Sequence, residues 1–149
     1  QAANREGLRQ RAAAVGLDFR KEGRGRVWNT FDAHRLLHWA GLQSLEAQHA
    51  LKLRLLTAYH GQALKIADPE VLLDAVVQAG LDRGAAAEVL KDKRYEKEVR
   101  DNEEQWTSQG ITAVPSVIVN DQYLIQGGQP PETFENALRE IAQNEDAEA

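Results

Sequence analysis

The sequence has 149 residues, of which 42% are hydrophobic, and a formal net charge of −5. A chain of this length can bury the core of one domain, and its composition is that of a globular protein. The acidic balance predicts no nucleic-acid partner, and the short apolar stretches predict no membrane span. Because the sequence contains no cysteine, disulfides, thiolate nucleophiles and cysteine-based zinc sites are excluded within these residues.

The first two thirds of the chain have the apolar spacing of amphipathic helices. Residues 1–15 form the first predicted helix, and a basic, glycine-punctuated loop follows at residues 21–26. Asn29 and Thr30 precede the run FDAHRLLHWA, and either side chain can cap the helix that begins there. Further helices are predicted, in chain order, over residues 44–59, 68–80, 82–90 and 95–109.

The pattern changes after residue 110. The run VIV at 117–119 is β-branched and contiguous, which is typical of a strand buried on both faces. Asn120-Asp121 is a turn signal, and residues 123–126 form a second short strand, so the pair is predicted to be a hairpin. A last helix opens at Pro130-Pro131, and residues 144–149 are predicted to be a frayed tail.

The predicted hairpin lacks neighbours within this sequence. Two strands alone form a marginal sheet in water, and a strand that is apolar on both faces is not expected at an open edge. Its partners must then come from residues outside this sequence or from another chain. We expect a homodimer, because strand pairing between two copies satisfies the backbone directly.

The sharpest local feature is Val114-Pro115, immediately before the VIV run. Proline donates no ladder hydrogen bond, which suits the start of a strand. For an arbitrary bond before proline the cis form has a frequency of only about 5%, so a trans proline that shapes the loop is the ordinary interpretation. A cis bond would turn the backbone so that Val114 offers its N–H and C=O to a peptide or ligand.

These motifs together carry a family resemblance. The run TAVPSVIV at 112–119, followed by GGQPPE at 127–132, resembles the C-terminal ββα half of the DsbA family. Upstream, NTFDAHRLLHWA at 29–40 and DPEVLL at 68–73 are similar to the helical insertion of the FrnE-like branch of that family. The resemblance covers nearly all of residues 1–143.

The resemblance implies an α/β fold, the C-terminal ββα part of a thioredoxin-like fold with a large all-helical insertion. Residues 1–109 would form the helical insertion domain, and residues 110–143 the ββα part. It further implies that the Val114–Pro115 bond is cis. Family members carry a Cys-x-x-Cys motif at the start of a helix, and this sequence has none. We therefore expect no catalytic residue in this chain and expect the chain to be a fragment of a longer protein.

The implied function is thiol–disulfide oxidoreduction on protein or small-molecule thiols and disulfides, without a cofactor and in the cytoplasm. The catalytic cysteines would lie outside this chain. One alternative is an enzyme of the 2-hydroxychromene-2-carboxylate isomerase type, which would bind glutathione as its thiol substrate. The other is a non-catalytic binding module on the same scaffold. The residues encoded before Gln1 discriminate among the three.

The predicted substrate-binding residues are Val114, Pro115, His34, Asn29 and Thr30. Through the resemblance, the helical insertion faces the thiol site, where a titratable histidine can tune a thiolate. The alternatives are packing for His34 and helix capping for Asn29 and Thr30. His34 and His38 share a helix face, but a zinc site needs at least a third protein ligand, so no metal site is predicted.

Overall fold

A computed structural model describes residues 2–17 and 26–148 of the chain. The predicted order of six helices, a hairpin and a final helix is confirmed, with one short π-helix added after the third helix. Among the described helices, none combines the length and apolar character needed to cross a membrane. In chain order the elements are α1 (Ala2–Ala14), α2 (Phe31–Gly41), α3 (Leu45–Leu56), the π-helix (Thr57–Gly61), α4 (Pro69–Gln78), α5 (Arg83–Lys91), α6 (Glu96–Ser108), β1 (Ser116–Val119), β2 (Tyr123–Gln126) and α7 (Pro131–Glu148).

The chain forms two compact units, Gln1–Asp101 and Asn102–Ala149, which we call the helical unit and the ββα unit. This division falls within α6, earlier than the predicted boundary after residue 109. The first half of α6 belongs with the helical unit, since the guanidinium of Arg100 lies 4.3 Å from the ring centroid of Phe31.

Side-chain caps define where the helices of the helical unit begin. Ser44, Asp68 and Asp82 stand at N-cap positions, and each side-chain oxygen accepts a hydrogen bond from a backbone N–H of the first turn, at 3.0, 3.1 and 2.6 Å. Pro69 opens α4, where its fixed φ suits the helix and its missing N–H has no intrahelical partner to lose. Each helix start predicted from these residues is therefore fixed by local chemistry.

The core of the helical unit is built mainly from α2, α3, α4 and α5. Leu36, Leu51, Val76 and Val89 are fully buried, and they follow the helical spacing that predicted the buried faces. Burial of such side chains is the main stabilising term in folding, at roughly 25 cal/mol per Å² of apolar surface. The buried cluster comprises Ala33, Leu36, Trp39, Ala40, Leu51, Leu55, Ala58, Ile66, Leu72, Leu73, Ala75, Val76, Ala86 and Val89.

Arg35 is buried in the helical unit, and the sequence pattern did not indicate its role. Its Nε donates to the backbone carbonyl of Arg94 at 2.8 Å, one terminal nitrogen donates to Asp32 at 2.7 Å, and the other donates to the carbonyl of Val89. These three bonds satisfy a guanidinium that would otherwise be costly to bury. They also fasten α2 to the end of α5 and to the segment that leads into α6.

The segment held by Arg35 contains a close pair of opposite charges. Nε of Arg94 lies 2.5 Å from Oδ2 of Asp92. Desolvation acts to raise the pKa of Asp92, but the backbone and side-chain hydrogen bonds from Arg94, with the charges of Arg94 and Arg35, bring that pKa below its ordinary value. The carboxylate form of Asp92 is therefore favoured in the folded state.

The ββα unit contains an antiparallel hairpin with Val119 opposite Tyr123. Asn120 and Asp121 adopt left-handed conformations with φ of 52° and 55°, which short polar side chains tolerate in turns. The prediction that the VIV strand is buried on both faces is wrong, because Val117 is 40% exposed. Among the described residues, β1 has only β2 beside it.

Little of the ββα unit is buried. Of its side chains that the structure describes, residues 102–144, Ile141 alone is buried. Trp106, Leu124 and Leu138 are 42%, 45% and 48% exposed. The backbone of α7 continues to Glu148, through residues that were predicted to fray, in a stretch where Glu and Ala are good helix formers.

Candidate functional site

The five predicted substrate-binding residues fall into two groups in different units. Asn29, Thr30 and His34 lie at the start of α2 in the helical unit, whereas Val114 and Pro115 lie in the loop before β1 in the ββα unit. The structure brings the members of each group together, and each group is described by itself below.

At the start of α2, Asn29 and Thr30 have different roles. The side-chain oxygen of Asn29 accepts a hydrogen bond from the backbone N–H of Phe31 at 2.9 Å. Thr30 occupies the N-cap position without a side-chain cap bond, and its carbonyl accepts from the N–H of His34 at 3.1 Å. The Asn29 side-chain oxygen is therefore already used in a hydrogen bond to the backbone. The Thr30 hydroxyl has no hydrogen-bond partner among the described residues.

The two histidines of α2 also differ. His38 is half-buried, and its ring centroid lies 5.0 Å from that of Tyr95 at a tilt of 41°. His34 is exposed, so its imidazole is accessible for contact with a ligand. Within the described ranges no cluster of three or more His, Cys, Asp or Glu side chains could hold a metal ion. Packing thus accounts for His38 and does not account for His34.

The loop before β1 contains one exposed residue, Val114, whose backbone N–H and C=O are available to a ligand. The Val114–Pro115 peptide bond is cis, and Val114 is 89% exposed. Within the described part of the chain, neither the N–H nor the C=O of Val114 has a hydrogen-bond partner. One donor and one acceptor on the same exposed residue can form the paired hydrogen bonds by which an extended peptide is bound.

The chain fixes this loop on both sides of Val114. The hydroxyl of Ser116 donates to the carbonyl of Ala113 at 2.7 Å, and the N–H of Gly127 donates to the carbonyl of Pro115 at 2.8 Å. Gly127 has a φ of +83°, a conformation in which glycine is favoured. The sequence analysis did not assign Ser116 or Gly127 to the site, although a serine directly after the proline and a glycine directly after β2 are the signals that mark them.

Next to this loop, the edge of β1 that does not face β2 is also unpaired in the described part of the chain. Among the described residues only β2 pairs with β1, so the backbone groups on the opposite side of β1 face no strand. An unpaired strand edge of this kind is a template for pairing with a further strand. The loop and the edge are continuous in sequence, and both have the chemistry to bind extended polypeptide.

Comparisons with known proteins assign the chain to a family. The model of a family described as a DSBA-like thioredoxin domain matches residues 3–139, a range that contains parts of both units and all five predicted site residues. No curated protein matched the chain.

Proposed function

Since this chain belongs to the family of DSBA-like thioredoxin domains, we propose that it is part of a thiol–disulfide oxidoreductase of the FrnE-like branch. The family match over residues 3–139 is the observation that carries this proposal. The substrates are thiols and disulfides of proteins or small molecules. Exchange requires a sulfur nucleophile, and the chain has no cysteine, so the proposal assigns the catalytic cysteines to residues outside this chain.

In the proposed function this chain contributes substrate binding. Val114 offers its backbone N–H and C=O to an extended segment of the substrate. The next residue, Pro115, has no backbone N–H to donate. The exposure of Val114 and the hydrogen bonds that anchor the loop support this role. From the family resemblance, the proposal also assigns substrate contacts to Asn29, Thr30 and His34.

The first experiment tests whether this chain alone, without the proposed catalytic cysteines, has reductase activity. In an insulin-reduction assay, the 149-residue chain should show only the buffer rate, because it holds no thiolate. Turnover above that rate would contradict the assignment. The codons upstream of Gln1 in the gene then test the class: Cys-x-x-Cys supports the oxidoreductase, and a lone Ser or Cys supports the glutathione-binding enzyme.

A non-catalytic binding module is the second candidate. It is favoured by the absence of cysteine from a chain that matches the family over residues 3–139. Upstream codons without Ser or Cys at the expected helix start would support it. Titration of the isotope-labelled chain with glutathione and with an extended peptide separates the two kinds of ligand, because only the peptide should shift the amide signal of Val114. Ser116→Ala, which removes the hydrogen bond that anchors the loop, should weaken this peptide binding.

The proposed oligomeric state is a homodimer that pairs the open edge of β1. An unpaired strand edge is a template for a further strand, and pairing between two copies would satisfy the backbone groups on the open side of β1. Sedimentation at low micromolar concentration should show a dimer, with slow hydrogen exchange at residues 116–119. A monomer in which these amides exchange rapidly would contradict the pairing without affecting the oxidoreductase assignment.

A further inference from the structure

The two units of the chain carry net charges of opposite sign. Residues 102–149 contain nine acidic side chains and one basic side chain, that of Arg139, whereas residues 1–101 contain fourteen acidic and seventeen basic side chains. The formal charge is therefore −8 for the ββα unit and +3 for the helical unit. The unit that carries the Val114 loop and the open edge of β1 is thus the strongly acidic one.

The one basic side chain of the ββα unit is already paired. Nη2 of Arg139 lies 2.8 Å from Oε1 of Glu135, and its Nε donates to the same oxygen at 3.1 Å. The negative charge of this unit is therefore largely not neutralised by its own side chains. Its other described carboxylates are exposed and have no basic partner among the described residues, namely Glu103, Glu104, Asp121, Glu132 and Glu140.

Two of these carboxylates flank β1 in the chain. Asp121 lies in the hairpin turn two residues after the end of β1, so the two Cα atoms are at most about 8 Å apart. At the other end, the carbonyl of Pro115 accepts a hydrogen bond from the N–H of Gly127 at 2.8 Å, and Glu132 follows in the first turn of α7. Residues 102–138 contain no basic side chain, so the fixed charge along this stretch is entirely negative.

The charge of so small a unit acts on the whole open edge. A compact unit of about 50 residues has a radius of gyration of about 10 Å. The Debye length is about 8 Å at physiological ionic strength and about 30 Å at 0.01 M. At low salt most carboxylates of the ββα unit therefore contribute to the electrostatic potential at the edge of β1.

We propose that the Val114 loop and the open edge of β1 bind extended polypeptide segments that carry Lys or Arg side chains. This inference rests on the proposed substrate-binding role of the loop. The backbone groups of Val114 and β1 supply the hydrogen bonds, and the carboxylates of the ββα unit supply the charge complementarity. Val117 and Val119 lie on one face of β1, because side chains alternate along a strand. Apolar side chains at every second position of the segment pack on that face, and basic side chains occupy the positions between them.

A second copy of the chain is a poorer electrostatic match for the same edge. In a dimer paired along β1, two units of charge −8 come together, and their like charges repel. A basic segment brings the opposite charge to the same backbone groups. The basic segment should therefore displace the second copy, so that the proposed homodimer dissociates as the segment binds.

The test titrates the isotope-labelled full chain with three peptides of one length. Each alternates Val with a second residue, which is Lys in the first, Gln in the second and Glu in the third, and blocked termini remove the end charges. At an ionic strength of about 0.02 M the Lys peptide should shift the amide signals of Val114 and residues 116–119, with an affinity about tenfold or more above that of the Gln peptide. The Glu peptide should bind least. At about 0.5 M the three affinities should converge, because salt screens the charges.

Charge-neutral variants locate the effect in the ββα unit. Asp121→Asn with Glu132→Gln removes the two carboxylates that flank β1, and should reduce the advantage of the Lys peptide about threefold or more without changing the binding of the Gln peptide. Glu46→Gln with Glu98→Gln removes the same charge from exposed positions of the helical unit and should leave that advantage unchanged. Unfolding curves of both variants establish that the fold is retained.

The outcomes distinguish this inference from the proposed function. Equal affinities of the three peptides at low salt would overturn the preference for basic segments and leave the peptide-binding role of the loop intact. Equal losses in the two double variants would also overturn it, because the charge of the whole chain and not that of the ββα unit would then attract the peptide. If no peptide shifts the signals of Val114 and β1, the substrate-binding role itself is contradicted, and this inference with it.

Discussion

The helical unit and the ββα unit differ in how much of their apolar surface they bury. In the helical unit, fourteen buried side chains from α2 to α5 form one cluster. Among the described side chains of the ββα unit Ile141 alone is buried, and Val117, Leu124 and Leu138 are each at least 40% exposed. The apolar residues of the first unit stabilise their own fold, while those of the second are available for contact with another surface.

This difference in burial suits the two units to different physical roles. A unit with its own core and capped helices can hold side chains in fixed positions, as the bonds of Arg35 illustrate. A unit with an open strand edge and an exposed loop offers backbone groups, which suit the binding of extended peptide. We therefore expect mutations in the core of the helical unit to affect mainly stability, and mutations in the loop and at the open strand edge of the ββα unit to affect mainly binding.

The largest expected effect comes from opening the core of the helical unit. Leu36 is fully buried, so Leu36→Ala should lower the free energy of unfolding by about 2–5 kcal/mol through lost burial and a cavity. Leu138 is 48% exposed in α7, and Leu138→Ala should cost less than about 1 kcal/mol. Guanidinium denaturation followed by circular dichroism measures both, and equal losses would remove the distinction between the units.

Removal of Arg35 should have the next largest effect. Arg35→Leu keeps apolar volume but leaves the carbonyls of Val89 and Arg94 without a donor, at a cost of about 2–3 kcal/mol. The control is Arg139→Leu in the ββα unit, which breaks an exposed pair with Glu135 and should cost about 0–1 kcal/mol. A loss for Arg35→Leu no larger than for the control would mean that the buried guanidinium does not fasten α2.

The sequence predicted the helical unit well because its signals are local. The capping residues Ser44, Asp68 and Asp82 and the apolar spacing depend on neighbours in the chain, and these helices lie where they were predicted. Arg35 was missed because its partners Val89 and Arg94 are distant in sequence, and nothing in the helix pattern marks an arginine as buried.

The ββα unit was predicted in outline but not in burial. The VIV run and the turn at Asn120-Asp121 located the hairpin, since β-branched residues and positive φ are local preferences. Whether a strand is buried depends on what lies beside it, and no described strand covers the second edge of β1. The open backbone of Val114 likewise depends on Ser116 and Gly127 bonding on either side of it, which composition does not reveal.

A smaller effect on stability should show which of the two residues, Asn29 or Thr30, caps the start of α2. Asn29→Ala removes the oxygen that accepts the Phe31 N–H and should lower the free energy of unfolding by about 1 kcal/mol. Thr30→Ala removes a hydroxyl that makes no cap bond and should change stability by only a few tenths of a kcal/mol. Thermal or denaturant unfolding measures both, and a larger loss for Thr30→Ala would reverse the assignment of the cap.

The smallest expected effect concerns Asp92, in the segment that Arg35 fastens to α2. Its pKa lies below the ordinary value of 3.8 in the folded chain, mainly through the hydrogen bonds and charge of Arg94 that outweigh desolvation. A depressed pKa stabilises the fold at all pH values above the unfolded pKa, and this stabilisation is lost as the pH falls through the folded pKa. The difference in unfolding free energy between the natural chain and Asp92→Asn should therefore be constant near neutral pH and shrink below a pH of about 4. In an Arg94→Gln background the pH-dependent part of that difference should become smaller, since the side-chain hydrogen bond and the charge of Arg94 are gone, while the backbone N–H of residue 94 still donates to Asp92. A difference that stays constant down to low pH, or that survives unchanged without the Arg94 guanidinium, would mean that this pair does not couple protonation to the stability of the helical unit.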